Sequence, residues 1–189
     1  MAKITLKLNS KDLEKLYKNA AKIEAELTST EGPIYSYMLT IGNEYKEAVL
    51  SGIGKTFDGV LTLKSFLGEP QTVNWKKNAK ATLALKKKNY WSLTIWKASG
   101  AVERAVKVAE IKSTNSKEIF SGLDKADDPE AYSHAINTEF GAVSVPGDRE
   151  YKGRALFTLL NAVFSSSTPK IVANIEKQLK EIINKHWGS

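Results

Sequence analysis

Ile171, Val172, Ile175, Leu179, Ile182, Ile183 and Trp187 recur at helical spacing near one end of the sequence, with lysines and glutamates on the opposite side. An isolated helix of this length is marginal in water and takes its stability from covering its apolar side. The same constraint arises twice at the other end. Leu13, Leu16, Tyr17, Ala20, Ile23 and Leu27 predict a first helix over 10–27, with Asn9 and Ser10 as cap residues and Asp12 and Glu14 in the first turn. Pro33 suits the first position of a second helix, and Ile34, Tyr37, Met38, Ile41, Tyr45, Ala48 and Val49 keep one apolar face as far as Gly52. Three amphipathic helices must therefore be covered by one another or by what lies between them.

The intervening segment is less regular. KITLKL (3–8) and VLTLKSFL (60–67) read as strands, and Asn78 to Lys88 as a short helix with Ala79, Leu83 and Ala84 inward. SLTIW (92–96) is extended, and Ser99 and Gly100 make a turn. AVKVAEI (105–111) alternates well and is expected as a central strand, with KEIFSGL (117–123) returning beside it after the turn STNS. DKADDPE leads to a helix start at Pro129, ended by Phe140-Gly141, and residues 142–153 read as loop. Arg154 to Phe164 is expected as one helical segment. A break follows, at which Ser167 or Thr168 caps the last helix with Pro169 in its first turn. At 189 residues the chain is long enough for one domain and short for two. The expectation is a single α+β domain spanning 1–189, with the N-terminal helices and the long C-terminal helix packed on a small antiparallel sheet.

Charge is concentrated. No acid lies between Glu69 and Glu103, while Lys76, Lys77, Lys80, Lys86, Lys87, Lys88 and Lys97 do, and these seven lysines equal the whole formal charge of +7. Such a segment signals a polyanion, an acidic partner surface or a solvated face. Candidate chemistry is sparse. The absence of cysteine excludes disulfides, thiolate zinc sites and cysteine nucleophiles, and fits a protein made in the cytosol. His134 and His186 share no metal-ligand spacing with each other or with nearby acids. His134 is expected to be a partly buried structural residue, and His186 to suit the negative end of the last helix. ADDPE lacks the graded spacing of a calcium loop. GIGKT lacks the first glycine of a phosphate loop, and no dinucleotide fingerprint or nucleophile elbow is present. The expectation is no catalytic residue, no metal and no cofactor. The start of the chain has no apolar stretch of a secretory leader, and no run approaches the roughly 18 apolar residues of a membrane span.

Three ordered stretches carry a resemblance. The first is NWKKNAKATLALKKKNYW followed by SLTIWKASGAVERAVKV, with Trp75, Thr82, Lys86, Lys87, Ser99, Gly100, Val102, Arg104 and Val106 in the pattern. The second is HAINTEFGAVSVPG, with His134, Ala135, Glu139, Phe140 and Gly141. The third is KGRALFTLL and its trailing helix, with Arg154, Leu156 and Phe157; Lys152-Gly153 and Ala155 stand near the places of two family prolines. Together they resemble the virion morphogenesis, tail-completion and neck proteins of tailed bacteriophages over most of residues 70–187. The resemblance implies a structural, non-enzymatic subunit in the neck or tail of a virion, made in the host cytoplasm. It would work as a homo-oligomeric ring, a hexamer by family analogy, beside neck or tail-tube and terminator proteins. On that reading Trp75, Gly100, Arg104, Glu139, Phe140, Gly141 and Arg154 are structural positions. Lys76, Lys77, Lys80, Lys86, Lys87 and Lys88 are the contacts to a partner or to genomic DNA in the channel.

The alternative is a small cytosolic protein that binds nucleic acid nonspecifically through the Lys-rich segment 76–88, with Trp75, Tyr90, Trp91 and Trp96 as stacking rings. Against it, lysine outnumbers arginine 25 to 3, and arginine is the residue suited to base edges.

Overall fold

Residues 10–53, 60–74, 80–90, 100–112, 117–144, 149–152 and 156–187 are described by the computed structural model. The strands expected at 3–8 and 92–96 and the turn at 113–116 lie outside them. The order is α1 (Ser10–Thr28), α2 (Pro33–Gly52), β1 (Val60–Phe66), β2 (Glu69–Asn74), α3 (Lys80–Lys88), α4 (Ala101–Ala105), β3 (Lys107–Lys112), β4 (Lys117–Gly122), α5 (Pro129–Phe140), β5 (Gly141–Ser144), β6 (Arg149–Lys152) and α6 (Phe157–Trp187). The class is α+β. No helix among the described residues is long and apolar enough to cross a membrane.

The chain groups into two compact units, Met1–Met38 with Pro169–Ser189, and Leu39–Thr168. The larger unit is organised on α2, whose Ile41, Tyr45, Ala48 and Val49 are buried together with Leu63, Phe66, Leu156 and Leu160. Two glycines of α2 explain why a helix accepts them at a cost of about 1 kcal/mol each. A Cβ on Gly42 would stand 2.9 Å from Ile119 Cγ2 and 3.2 Å from Val108 Cγ1. One on Gly52 would stand 2.9 Å from Leu156 Cδ1 and 3.0 Å from Leu63 Cδ2. At Gly42 the β3–β4 pair is also tied by the Ser121 hydroxyl, which donates to the Gly42 carbonyl at 2.8 Å. The polar side of α2 holds β1: Glu47 pairs with Lys64, Ser51 Oγ accepts from the Lys64 amide at 2.9 Å, and Glu44 Oε2 accepts from the Leu67 amide at 3.2 Å.

Among the described residues the expected central strand β3 has one neighbour, β4, with Lys107 opposite Gly122 through to Lys112 opposite Lys117, and the described strands form three two-stranded antiparallel ladders. β1 meets β2 through a tight turn at Leu67 and Gly68, with φ of 52° and 82°. The region 142–153, expected as loop, contains most of β5 and β6, paired from Gly141–Lys152 to Ser144–Arg149. A second correction concerns the last helix. α6 runs unbroken through Pro169. Of the two residues expected to cap a new helix, Thr168 bonds back to the existing one, its Oγ1 donating to the Phe164 carbonyl at 3.2 Å; the neighbouring Ser166 Oγ does the same to the Val163 carbonyl at 2.9 Å, and Ser167 is buried.

In the smaller unit, α1 contains no buried residue. Tyr17 is 75% exposed, and Leu13, Leu16 and Leu27 are exposed as well. The α6 stripe, expected to be buried along its length, is split. Ile171 and Ile182 are buried, Ile175 and Leu179 half-buried, and Val172, Ile183 and Trp187 exposed, because the apolar arc is wider than the surface that covers it.

Candidate functional site

In the larger unit Glu139, near the end of α5, is 5% exposed and reaches the start of α6. Its Oε2 accepts from the amides of Leu156 at 2.8 Å and Phe157 at 3.1 Å, and its Oε1 from the amide of Thr158 at 2.7 Å. The first amides of a helix have no partner within it and carry partial positive charge, so a buried carboxylate there both satisfies them and neutralises the helix end. α5 is itself begun conventionally: Asp128 Oδ1 accepts from the Ala131 amide at 2.8 Å, with Pro129 in the first position. α4 packs against α5. It is preceded by Gly100 at φ 82°, a left-handed conformation that glycine adopts without strain. Arg104 is exposed, with its guanidinium 3.0 Å from where a Gly100 Cβ would be.

Beside this node lies a cavity of about 290 Å³ lined by Tyr45, Phe120, Tyr132, Glu139, Phe157 and Asn161 among others. Two of its polar side chains, Tyr45 and Glu139, have defined partners. The Tyr45 hydroxyl donates to Asn161 Oδ1 at 2.9 Å, and burial, then the nearby Glu139 charge, push its ionisation above the usual tyrosine range. Both Glu139 oxygens are taken by backbone amides. A carboxylate and a phenol held in this way are poorly placed to exchange protons with a substrate. Among the described residues, no three His, Asp or Glu side chains gather in metal-binding geometry.

The lysine segment divides into two faces. Lys80, Lys87 and Lys88 are exposed on α3, and Tyr90 just beyond its end is 96% exposed. Lys86, expected as an outward contact, is instead only 9% exposed. It follows half-buried Leu83 by three positions, so it falls on the helix's inner face, where a lysine stem can lie along apolar surface. Ala84, expected inward, is exposed. Lys86 is close enough to α5 to act on His134. Partial desolvation and then the Lys86 charge hold that imidazole below the ordinary histidine range, while Glu130 pulls it up. His134 itself is in part exposed and in part desolvated, as the expectation of a partly buried residue has it.

In the smaller unit His186 makes a specific contact. Its Nε2 lies 2.6 Å from Glu26 Oε2, and Lys185 Nζ donates to both Glu26 oxygens at 2.9 and 3.0 Å. The hydrogen bond with His186, then that with Lys185, holds the Glu26 carboxyl below the ordinary glutamate range.

Trp75, Lys76, Lys77 and Arg154 lie outside the described residues, as does the side chain of Phe140; Gly141 opens β5. Of the expected positions, Glu139 joins the α6 start, Gly100 and Arg104 flank α4, and Lys80, Lys87 and Lys88 share an outer face that Lys86 leaves. Tyr45, Asn161 and Glu26 were not anticipated. Tyr45 stood only as one apolar position among many, and the other two carry no local signal because their partners are more than a hundred residues away. No protein-family model, no curated protein and no solved structure matches this chain.

Proposed function

We propose that this chain is a structural, non-enzymatic subunit of a bacteriophage or prophage-derived particle, joining head or neck to tail or completing the tail tube as a homo-oligomeric ring. The observation that carries the reading is that its three motif stretches meet. Glu139 of the second stretch holds the amides of Leu156 and Phe157 of the third, and α4 of the first packs on α5. Residues that match a family pattern at separate places in the sequence thus share one node of the fold, as structural positions should. At that node Glu139 is held by backbone amides and Tyr45 by Asn161, a packing arrangement in keeping with an assembly role. Deleting the chain from the phage or prophage that carries it tests the reading. Electron microscopy of the lysate should show filled heads and tails that are unjoined or of defective length, with joined particles restored by the chain supplied in trans. Normal infectious particles without it would overturn the reading.

A second reading, nonspecific binding of nucleic acid, is favoured by the exposed row Lys80, Lys87 and Lys88 beside exposed Tyr90. It requires affinity for single strands that falls steeply with salt and weakens in Lys87→Gln/Lys88→Gln. An affinity indifferent to both would remove it.

A further inference from the structure

α3 ends on a residue that its backbone does not favour. The Asn89 amide and Asn89 Nδ2 donate to the Leu85 carbonyl at 3.1 and 3.0 Å, and the Tyr90 amide donates to the Lys87 carbonyl at 3.2 Å. Tyr90 closes the helix at φ 55°, in the left-handed region. Helices that end this way usually place glycine there, because a side chain is strained. A large ring can offset that strain by burying apolar surface. Tyr90 does not. It is 96% exposed, and its side chain has no hydrogen-bond, ionic or ring partner among the described residues. The fold gives nothing back for a tyrosine at this place, and an outlier of this kind points to a contact outside the chain.

The surroundings select the contact. Lys80, Ala84, Lys87 and Lys88 stand three or four positions apart and share one side of α3, a row about 12 Å long. The three lysines are exposed and have no acidic partner among the described residues, and no acid occurs between Glu69 and Glu103. Lysines near a carbonyl end also suit the helix itself, so the ring is what asks for a ligand and the row gives the ligand's sign. Leu85, 54% exposed, stands to the side of the row, and a ring at 96% exposure has no apolar collar of the kind that surrounds an aromatic anchor in a protein–protein contact. An isolated ring beside a row of cations suits a polyanion that carries planar groups at intervals, one stacked on the ring and the phosphates along the lysines. This arrangement puts the ring, and not a phosphate, at the carbonyl end of the helix, where an anion is repelled.

We infer that Tyr90 is a base-stacking residue, holding one base of a single-stranded nucleic acid at the end of α3 while Lys80, Lys87 and Lys88 take its phosphates. A duplex keeps its bases stacked on one another and meets the lysines alone. The inference rests on the reading of this chain as a nucleic-acid binder and names the residue by which it prefers single strands.

Fluorescence anisotropy of the full chain at low salt tests it, with a short labelled oligothymidine and a duplex of matched length as probes. Tyr90→Ala should weaken the single strand at least about fivefold, the lower end for the loss of one stacked base, and leave the duplex unchanged. Tyr90→Phe should keep wild-type affinity for both. Tyr90→Gly relieves the left-handed residue, so it should lose single-strand affinity as the alanine variant does while melting at or above the wild-type temperature. A lower melting temperature for Tyr90→Gly would show that the ring is packed on the protein and would overturn the inference. Tyr90→Ala that binds single strands like the wild type, while Lys87→Gln/Lys88→Gln binds them more weakly, would overturn the stacking role and leave the nucleic-acid reading standing. A wild type that binds neither probe up to about 100 µM, the weak end of nonspecific binding, would overturn both. Binding of poly-L-glutamate with the same loss in Tyr90→Ala would assign the face to an acidic protein surface and also overturn the inference.

Discussion

The Thr158 amide donates to Glu139 Oε1 across 2.7 Å, and the other oxygen of that carboxylate takes the amides of Leu156 and Phe157. One buried side chain thereby does for α6 what a local cap residue does for most helices. Glu139→Ala leaves three amides unsatisfied and is expected to cost about 2–4 kcal/mol, with Glu139→Gln intermediate, because one acceptor oxygen survives without the charge. Denaturant unfolding followed by tyrosine and tryptophan fluorescence measures this. A loss below about 0.5 kcal/mol for the alanine variant, the range of ordinary surface changes, would mean that water caps the helix as well.

Gly42→Ala and Gly52→Ala separate two kinds of close packing. Each gains about 1 kcal/mol of helix propensity and adds a methyl group against a neighbour 2.9 Å away. At Gly42 the neighbours are the β-branched Ile119 and Val108, which are stiff at χ1 and sit on a paired ladder. At Gly52 they are the ends of the Leu156 and Leu63 side chains, which have another torsion to yield through. Gly42→Ala is expected to be the more damaging, with a net loss of about 1–3 kcal/mol. Equal stability of the two variants would show that the β3–β4 pair shifts as readily as a leucine terminus.

The Glu26 contact gives the smaller unit a pH dependence of definite sign. The His186 hydrogen bond and then Lys185 lower the carboxyl below its ordinary range. Its stabilising share is therefore fully present above the usual glutamate pKa of about 4.3 and is lost as the pH falls through the lower folded value. Amide exchange along α1 in the wild type and in Glu26→Gln should differ at neutral pH and converge in acid. A difference that persists at pH values where the carboxylate is fully protonated would assign the effect to side-chain shape and not to charge.

Much of the helical framework was legible because its punctuation is local. Pro33 and Gly52 bound α2, and Asp128-Pro129 and Phe140-Gly141 bound α5 within a residue or two. The β3–β4 ladder was legible from alternation in two segments close in sequence. β2 was not, because EPQTVN neither alternates cleanly nor lacks proline; its pairing is made by a turn that puts Leu67 at positive φ. α6 was read as two helices because Ser-Ser-Ser-Thr-Pro is a start signal whenever its hydroxyls face forward, and here two of them face back. The site suffered more than the frame. Glu139 was picked out by resemblance, but its role depends on amides 17 to 19 residues on, and the one local mark of the inward lysine, the spacing of Lys86 from Leu83, is hidden in a run of like charges.

That last distinction is directly testable. Lys86 is buried at the inner face of α3, while Lys87 and Lys88 are exposed. Lys87→Gln and Lys88→Gln should leave stability within about 0.5 kcal/mol of wild type, as exposed charges do. Lys86→Gln removes part of a packed stem and should cost about 1–2 kcal/mol. It also removes a positive charge that, after desolvation, holds the His134 imidazole low. The sign follows. A histidine whose folded pKa is depressed contributes stability above its unfolded value of about 6.5, and loses it as the pH drops through the unfolded pKa toward the folded one. Replacing Lys86 should raise the His134 pKa and flatten that acid-side loss, whereas Glu130→Gln should move it the other way. Titration of the His134 ring by NMR in the three proteins reads both shifts. A His134 that titrates identically with and without Lys86 would show that the ammonium reaches solvent and is screened from it, and α3 would then present all its lysines outward.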